Sequence, residues 1–471
     1  MIANRLHDVQ DALRAGETTC VKLVEEALAR AEASDLNAFV ELFPESAMAQ
    51  AQAVDAKLAN GTAGLLAGMV MSIKDNLVYA GHQSSASSNI LKDFTSPYSA
   101  TAVQRLIDAD AIIIGRSGCD EFAMGSSNET SAHGPVKNPV DPTKTPGGSS
   151  GGPASAVGAG IVQASLGTDT GGSIRQPAAF CGIYGTKPTY GRVSRYGAIA
   201  YASSFDQIGP FARSLDDLAL VTQVISGADA HDSTCSELEV PDMRAGEAPE
   251  RMTLGYYPEV VEHDALSPAL RDAWAAYKTT LTDAGHELRP LAMPHLDALV
   301  PIYYILTTAE ASSNLSRYDG MRYGHRAEGD LPLEDLYKQS RSEGFGTEVK
   351  RRIMLGTFVL SAGYFDAYYT KAQKARRVVR DQTLADLSQV DAIIGPTTPH
   401  VAFDLGKEYS DPTTLYLEDI FTVQAPIAGI PAMSFPAGTD DNGMPFGWQI
   451  MSNRFDEPKM FAIARALEAL S

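Results

Sequence analysis

Two islands of glycine and serine, GGSSGG and DTGGSI, lie within one stretch, TPGGSSGGPASAVGAGIVQASLGTDTGGSIRQP, from Thr145 to Pro177. They restrict the fold more than any other feature of the chain. Glycine at that density costs conformational entropy on folding. A chain bears that cost where backbone must pass close to another group, or where successive N–H groups must face a charge. A flexible linker could carry the same letters, but it would not hold the apolar run Ala154 to Leu166 between them. The pattern points to a reaction centre with serine hydroxyls in both islands.

The flanking sequence reads as α/β. Residues 1–60 look helical, with Thr18 and Thr19 able to cap a helix whose apolar side includes Val21, Val24 and Leu28. MVMSIKDNLVYA, within residues 65–80, and AIIIGRS, residues 111–117, have the short β-branched look of buried strands, with a helix expected near Ala100 to Ala109. Strand–helix alternation of this kind argues for an α/β sheet. Ser214 with Asp217 forms a capping-box variant that opens the helix SLDDLALVTQVIS, stopped at Gly227. Residues 228–251 are polar, acidic and proline-bearing, and read as a surface loop. Residues 295–386 are mainly helical, and AIIGPTT at 392–398 returns to a strand.

Gly147 to Gly151 satisfies the G-x-S-x-G pattern of a hydrolase elbow, which needs a strand immediately before it and a helix after. NPVDPTKTP precedes it here, and three prolines exclude a central strand. None of the nine histidines sits in a sequence that reads as a catalytic loop; His133 precedes the serine and His400 closes a proline-rich turn. A Ser-His-Asp triad is therefore disfavoured. The second island follows the strand-like GIVQASLGTD, and the turn Thr170-Gly171-Gly172-Ser173 can present backbone N–H groups as an oxyanion hole. A serine nucleophile needs a base, and without histidine a lysine is the natural candidate. Lys74 lies in the apolar strand MVMSIKDNL, where burial would lower its pKa. Moving a lysine from about 10.4 to about 7–8 takes about 4 kcal/mol. Asp75 could neutralise it, but neighbours on a strand face opposite sides. A strand-end lysine reaching out to water fits the periodicity equally well.

Composition narrows the partners. Asp and Glu number 58 against 38 Lys and Arg, a net charge of −20, which disfavours phosphate-led contact with nucleic acid. The four cysteines, Cys20, Cys119, Cys181 and Cys235, have neither metal-like spacing nor disulfide-framework density, so a reducing, cytoplasmic setting is expected. Cys119 and Cys181 read as packed thiols. The N-terminus lacks a signal-peptide core, and no apolar run is long enough to span a membrane.

Lys74, the GGSSGG island and the run DTGGSIRQPAAFCGIYGTKPT, in letters and in spacing, resemble the amidase signature family with its Ser–cis-Ser–Lys triad. The resemblance implies a large central mixed β-sheet covered on both faces by helices, within one domain over 1–471 whose catalytic core is 66–227. It assigns Ser173 as nucleophile, Ser149 as bridging serine, Lys74 as base, and Thr170, Gly171, Gly172 and Ser173 as the oxyanion hole. Later phrases, including EFAMGSSNETSAHGPVKNP, RSEGFGTEVKRRIMLGTFVLSAGYFDAYY and FTVQAPIAGIPAMSFPAG, resemble the glutaminase subunits of tRNA-dependent amidotransferases within that family. GRSGCDEF, which places Cys119 ahead of Asp-Glu-Phe, and the 228–251 loop depart from the pattern without touching the triad.

That likeness implies free glutamine as substrate, with Arg352 for its carboxylate, Asp419 for its ammonium and Tyr303 lining the pocket, where Tyr304 competes for the role. Helix-surface charge for Arg352 and a helix cap for Asp419 are the plain alternatives. It also implies that the released ammonia converts Glu-tRNA(Gln) to Gln-tRNA(Gln), with Asp-tRNA(Asn) left open as a second acceptor. No cofactor is expected in this chain. ATP and Mg are expected on a B subunit that carries the tRNA, beside a small C subunit. A free-standing amidase acting on another small amide, or a scaffold subunit without activity, are the rival readings.

Overall fold

The short β-branched runs form the middle of a sheet. The structure, a computed structural model, describes residues 5–407 and 412–470, so residues 1–4 of the expected helical segment lie outside it. In chain order the strands are β1 (Phe39–Leu42), β2 (Val70–Lys74), β3 (Ile112–Ser117), β4 (Ala164–Asp169), β5 (Tyr184–Lys187) and β6 (Gln207–Ala212). They continue with β7 (Thr253–Tyr256), β8 (Glu287–Pro290), β9 (Ala392–Pro396), β10 (Ala432–Thr439) and β11 (Pro445–Met451). Among the described residues they make one eleven-stranded sheet in the order β1-β3-β2-β4-β6-β5-β10-β11-β9-β7-β8. β2 runs parallel to both β3 and β4, β7 is parallel to β8 and β9, and the other neighbours are antiparallel. The expected mixed sheet is what forms.

Side-chain alternation divides its two faces. Val70, Ile112 and Ile114 enter a core with Leu23, Val24, Ala47 and Ala51, from the helices Cys20–Ala33 and Pro44–Ala59. Met71, Ile73 and Ile113 enter a second core with Val103, Leu106, Leu218 and Val221, from the helices Thr101–Asp108 and Leu215–Ile225. Both faces are therefore covered, and β2, β3 and β4 are buried along their whole length, as near-continuous apolar runs require.

Local signals carry some of the boundaries. Thr19 caps its helix by accepting the Lys22 amide at 3.2 Å. Ser214 accepts the Asp217 amide at 3.2 Å, but the box is not reciprocal. The Asp217 carboxylate instead accepts the Leu6 amide at 3.1 Å, tying the N-terminal helix Leu6–Arg14 to the body. The first sixty residues are not all helix, since β1 interrupts them; Val21 is only half-buried, while Leu23 and Ala27 fill the face expected of it. Residues 228–251 hold no helix or strand, yet the loop is pinned: Arg105 donates to the carbonyls of Ile225, Gly227 and Ala228.

Two helices, Leu296–Asn314 and Thr347–Val359, pack closely enough that a side chain at Gly356 would overlap the Thr308 carbonyl. That approach sets Tyr303, Tyr304 and Arg352 together beside the sheet. No helix among the described residues is long and apolar enough to cross a membrane.

Candidate active site

Lys74 ends β2 and is completely buried. Its Nζ donates to three hydroxyls: Ser149 Oγ at 2.8 Å, Ser150 Oγ at 2.8 Å and Thr168 Oγ1 at 2.9 Å. Among the described residues it pairs with no carboxylate. Asp75 faces the other way, where it accepts Ser85 Oγ at 2.6 Å and the Ser87 amide at 2.6 Å and pairs with Arg116. Strand alternation thus separates the two charges, and the side chain does not reach water.

Burial pushes the Lys74 amine down from 10.5 to about 8, against the pull of nearby Asp120, Asp169 and Asp206. Cys119 would oppose the shift only as a thiolate, and burial raises that thiol to about 12, so near neutrality it supplies no counter-charge. Only the neutral amine can take up a proton. The kcat/KM of the hydrolysis proposed below is therefore expected to rise tenfold per unit up to about pH 8 and level above it. A steady-state pH profile checks this, with Lys74→Met removing the limb. Stability shifts in the window above that. The folded pKa lies below the unfolded one, so the unfolded chain holds more protons between about 8 and 10.5, and stability rises with pH there by about 3 kcal/mol in all.

The first island delivers Ser149 on a cis peptide bond after Gly148. Gly148 is required by contact, because a side chain there would collide with the Asp120 carboxylate. Asp120 in turn accepts Thr130 Oγ1 at 2.8 Å and the Asn128 amide at 2.9 Å. The helix Gly151–Gly158 follows at once, but irregular backbone and not a strand precedes the island, so the elbow geometry is absent. The Ser150 amide donates to the Ser173 carbonyl at 3.2 Å, which binds the two islands to each other. The Ser173 hydroxyl makes no hydrogen bond among the described residues. The structure thus joins Lys74 to Ser149 directly and sets Ser173 beside them by its backbone. Catalytic hydrogen bonds are often long before substrate arrives.

The second island leaves β4 between two anchors. Asp169 takes a two-pronged bond from Arg175, 3.0 Å at each oxygen, and Thr170 Oγ1 donates to Asp206 at 2.8 Å. The amides of Gly171, Gly172 and Ser173 donate to no group among the described residues, which leaves them free for an anionic oxygen. Gly171 sits under Tyr303, whose Cζ would be 2.6 Å from an added Cβ, and Gly172 has φ +140° with Thr422 against it. Gly172→Ala is expected to lower amide hydrolysis at least about 100-fold, because the turn must shift and its donors move with it. Steady-state ammonia release against an unchanged melting temperature would show the loss to be local.

Arg352 and Asp419 lie across the same region. Arg352 is buried: Nε donates to Glu348 at 2.8 Å and Nη1 to the Tyr201 hydroxyl at 3.0 Å, while the guanidinium stands over the rings of Tyr304 and Tyr416. It is no surface charge. Asp419 accepts the Tyr304 hydroxyl at 3.0 Å and Ser126 Oγ at 3.3 Å, and burial raises its carboxyl to about 7. It caps no helix. Its backbone carbonyl accepts the Thr422 amide at 3.0 Å, and Thr422 Oγ1 donates to the Gly171 carbonyl, so Asp419 is tied to the serine turn. Tyr303 and Tyr304 both line the region with different neighbours, the serine turn for Tyr303 and Asp419 for Tyr304. A cavity of about 480 Å³ opens here, walled by Arg352, Ser126, Gly346 and Tyr416.

No local sequence pattern marks Ser150, Thr168, Tyr201, Thr422 or Ser126 as part of this site. Glu348 carried a signal, since it lies one helical turn before Arg352; the others are isolated hydroxyls whose role appears only when distant segments meet. Cys119 and Cys181 are packed thiols, near Ser87 Oγ and the Pro146 carbonyl. Among the described residues no three His, Cys, Asp or Glu side chains cluster around a metal position.

The family model Amidase matches residues 22–461. The A subunit of glutamyl-tRNA(Gln) amidotransferase from Chlorobium phaeobacteroides is 48% identical over 98% of both chains. Its counterpart from Methylococcus capsulatus is 48% identical over 98% of this chain and 95% of its own. Among solved structures, the same component from Thermotoga maritima superposes with TM-score 0.79 at 37% identity, covering 99% of this chain and 96% of its own. The Stenotrophomonas maltophilia peptide amidase reaches 0.84 at 30% identity, covering 99% and 97%. The two measures rank the relatives in opposite order. The fold, the paired glycine–serine islands and the buried lysine between them agree with the sequence match, and the chain belongs to the amidase family.

Proposed function

We propose that this chain is the glutaminase subunit of a glutamyl-tRNA(Gln) amidotransferase. What carries the reading is one arrangement: a buried guanidinium and a buried carboxylate, Arg352 and Asp419, beside a serine turn with unused amides. A free α-amino acid offers the two complementary charges, and a simple apolar amide offers neither. An arriving ammonium would hold Asp419 ionised, drawing its raised pKa back down. Near-full-length relatedness to the glutamyl-tRNA(Gln) amidotransferase components named above supports the same substrate.

In this reading Ser173 Oγ attacks the side-chain amide carbon of glutamine. Its proton passes through the Ser149 hydroxyl to the neutral amine of Lys74. The carbonyl oxygen, now anionic, takes the amides of the turn from Thr170 to Ser173. The proton returns by way of Ser149 to the nitrogen, the C–N bond breaks, and ammonia leaves a glutamyl ester on Ser173. Water then adds to the ester with the same relay as base, releasing glutamate and restoring the serine. Ammonia is consumed at a B subunit, where ATP and Mg activate the glutamyl group on tRNA, with a small C subunit completing the assembly. The acidic balance of this chain leaves the tRNA mainly to that partner. Aspartyl-tRNA(Asn) is a further acceptor to be tested.

The deciding experiment compares glutamine with small apolar amides in steady state, then supplies Glu-tRNA and ATP to the chain assembled with its two partner subunits. Glutamine is expected to be preferred at least about 100-fold in kcat/KM, as buried polar groups left unpaired reject the wrong amide. Preference for apolar amides would give the site to a free-standing amidase.

A further inference from the structure

The helix that turns Arg352 inward carries large apolar side chains on its outer face. Met354 is 73% exposed, and Leu355 and Phe358 also face solvent. The chain then passes through a wide helical turn, Asp366–Thr370, closed by a bond from the Thr370 amide to the Phe365 carbonyl at 3.0 Å. It sets Tyr364 and Tyr368 against Phe358, with ring centroids 4.4 and 5.7 Å away. Aromatic rings packed on one another in water, next to an exposed methionine and leucine, are uncommon on a surface that stays uncovered.

The next helix, Lys371–Leu387, begins at this cluster, and Gln373 bonds the Tyr369 hydroxyl at 3.1 Å. Gln373 is also one wall of a cleft of about 380 Å³ lined by Arg376, Arg377, Arg380 and Arg454 and by no carboxylate. Arg376 is fixed at its base, donating to Ser204 Oγ at 2.8 Å and the Ser204 carbonyl at 2.9 Å. Arg377 has only an exposed partner, Asp381 at 3.3 Å. Arg380 and Arg454 have no carboxylate partner among the described residues. On a chain with net charge −20, four guanidiniums in one cleft, of which only Arg377 has an ion-pair partner among the described residues, stand apart.

We propose that this continuous surface, rings followed by arginine cleft, docks a partner polypeptide that presents apolar anchors next to a run of carboxylates. The proposal rests on the subunit reading above and gives that assembly a contact surface. Charge complementarity selects the occupant: the cleft takes carboxylates, which suit the planar fork of arginine, and the ring cluster takes the anchors. RNA is the poorer fit, because Phe358, Tyr364 and Tyr368 already pack on one another and a net charge of −20 opposes phosphate-led binding.

The test uses the full chain co-purified with its two partner subunits. Phe358→Asp with Tyr364→Asp is expected to weaken assembly at least about 100-fold. Arg377→Glu with Arg380→Glu is expected to weaken it at least about tenfold and to flatten its salt dependence. Melting temperatures within a few degrees of the parent show that the variants fold. If the parent assembles and both variants assemble equally well, the surface is overturned and the subunit reading stands. If the parent itself never joins the partner subunits, the subunit reading falls first. Loss of a dimer of this chain alone in the aspartate variant would assign the face to a second copy and overturn the proposal. So would loss of tRNA retention in the glutamate variant with assembly unchanged.

Discussion

A Ser173→Ala chain is expected to hydrolyse glutamine at least about 10⁴-fold more slowly than the parent, with glutamine still bound. The size follows from what the hydroxyl does in the proposed reaction. Without it no acyl bond forms, and the residual rate is that of water in a site that still holds amide donors and charges. Ser149→Ala and Lys74→Met should each fall to a similar level, and the triple variant should be little worse than any single one, because a relay with one link missing carries no proton. Ammonia release in steady state measures the loss, and calorimetric binding of glutamine, within about threefold of the parent, separates chemistry from recognition. Retention of a tenth of the parent rate would remove Ser173 from its role.

Arg352→Ala should act differently, lowering kcat/KM for glutamine by about 10²–10³ and chiefly through KM. That range, about 2.7–4.1 kcal/mol, lies within the roughly 2–5 kcal/mol lost when one partner of a buried charge pair is truncated. The variant also strands Glu348, which Arg352 meets at 2.8 Å, and that cost falls on the stability of the fold. Arg352→Lys keeps the charge but not the fork, so only partial recovery is expected. The informative control is an amide without the α-carboxylate, whose hydrolysis should change by less than about threefold. Equal losses for both substrates would make Arg352 a structural residue of its helix.

How much of this was legible depended on whether the signal was local. The β2 and β3 runs, the caps at Thr19 and Ser214, and the coil of 228–251 follow from short-range chemistry and could be read directly. No short-range pattern marks the strands β5, β6, β10 and β11; β6, QIGPFA, carries a glycine and a proline where strand propensity is low. It is a strand because β4 and β5 flank it. Lys74 shows the limit most clearly. Alternation placed it opposite Asp75, but only tertiary structure could decide between burial and escape to water. The answer came from hydroxyls of residues 149, 150 and 168. Arg352 and Asp419 rested on resemblance alone, since a lone arginine on a helix and a lone aspartate in a loop have no local pattern that separates a pocket from a surface.

The distribution of these residues along the chain has a consequence during translation. A ribosome makes Lys74, Ser149 and Ser173 well before it reaches Tyr303, Arg352 and Asp419. It adds last the strands β10 and β11, and β10 is the one that joins β5 to the β11-β9-β7-β8 half of the sheet. A nascent or prematurely terminated product therefore carries the proposed Lys74–Ser149–Ser173 relay without the residues proposed to hold an amino acid against it. Until β10 arrives, β5 is an open sheet edge, so completion of the sheet waits on the last part of the chain to be made.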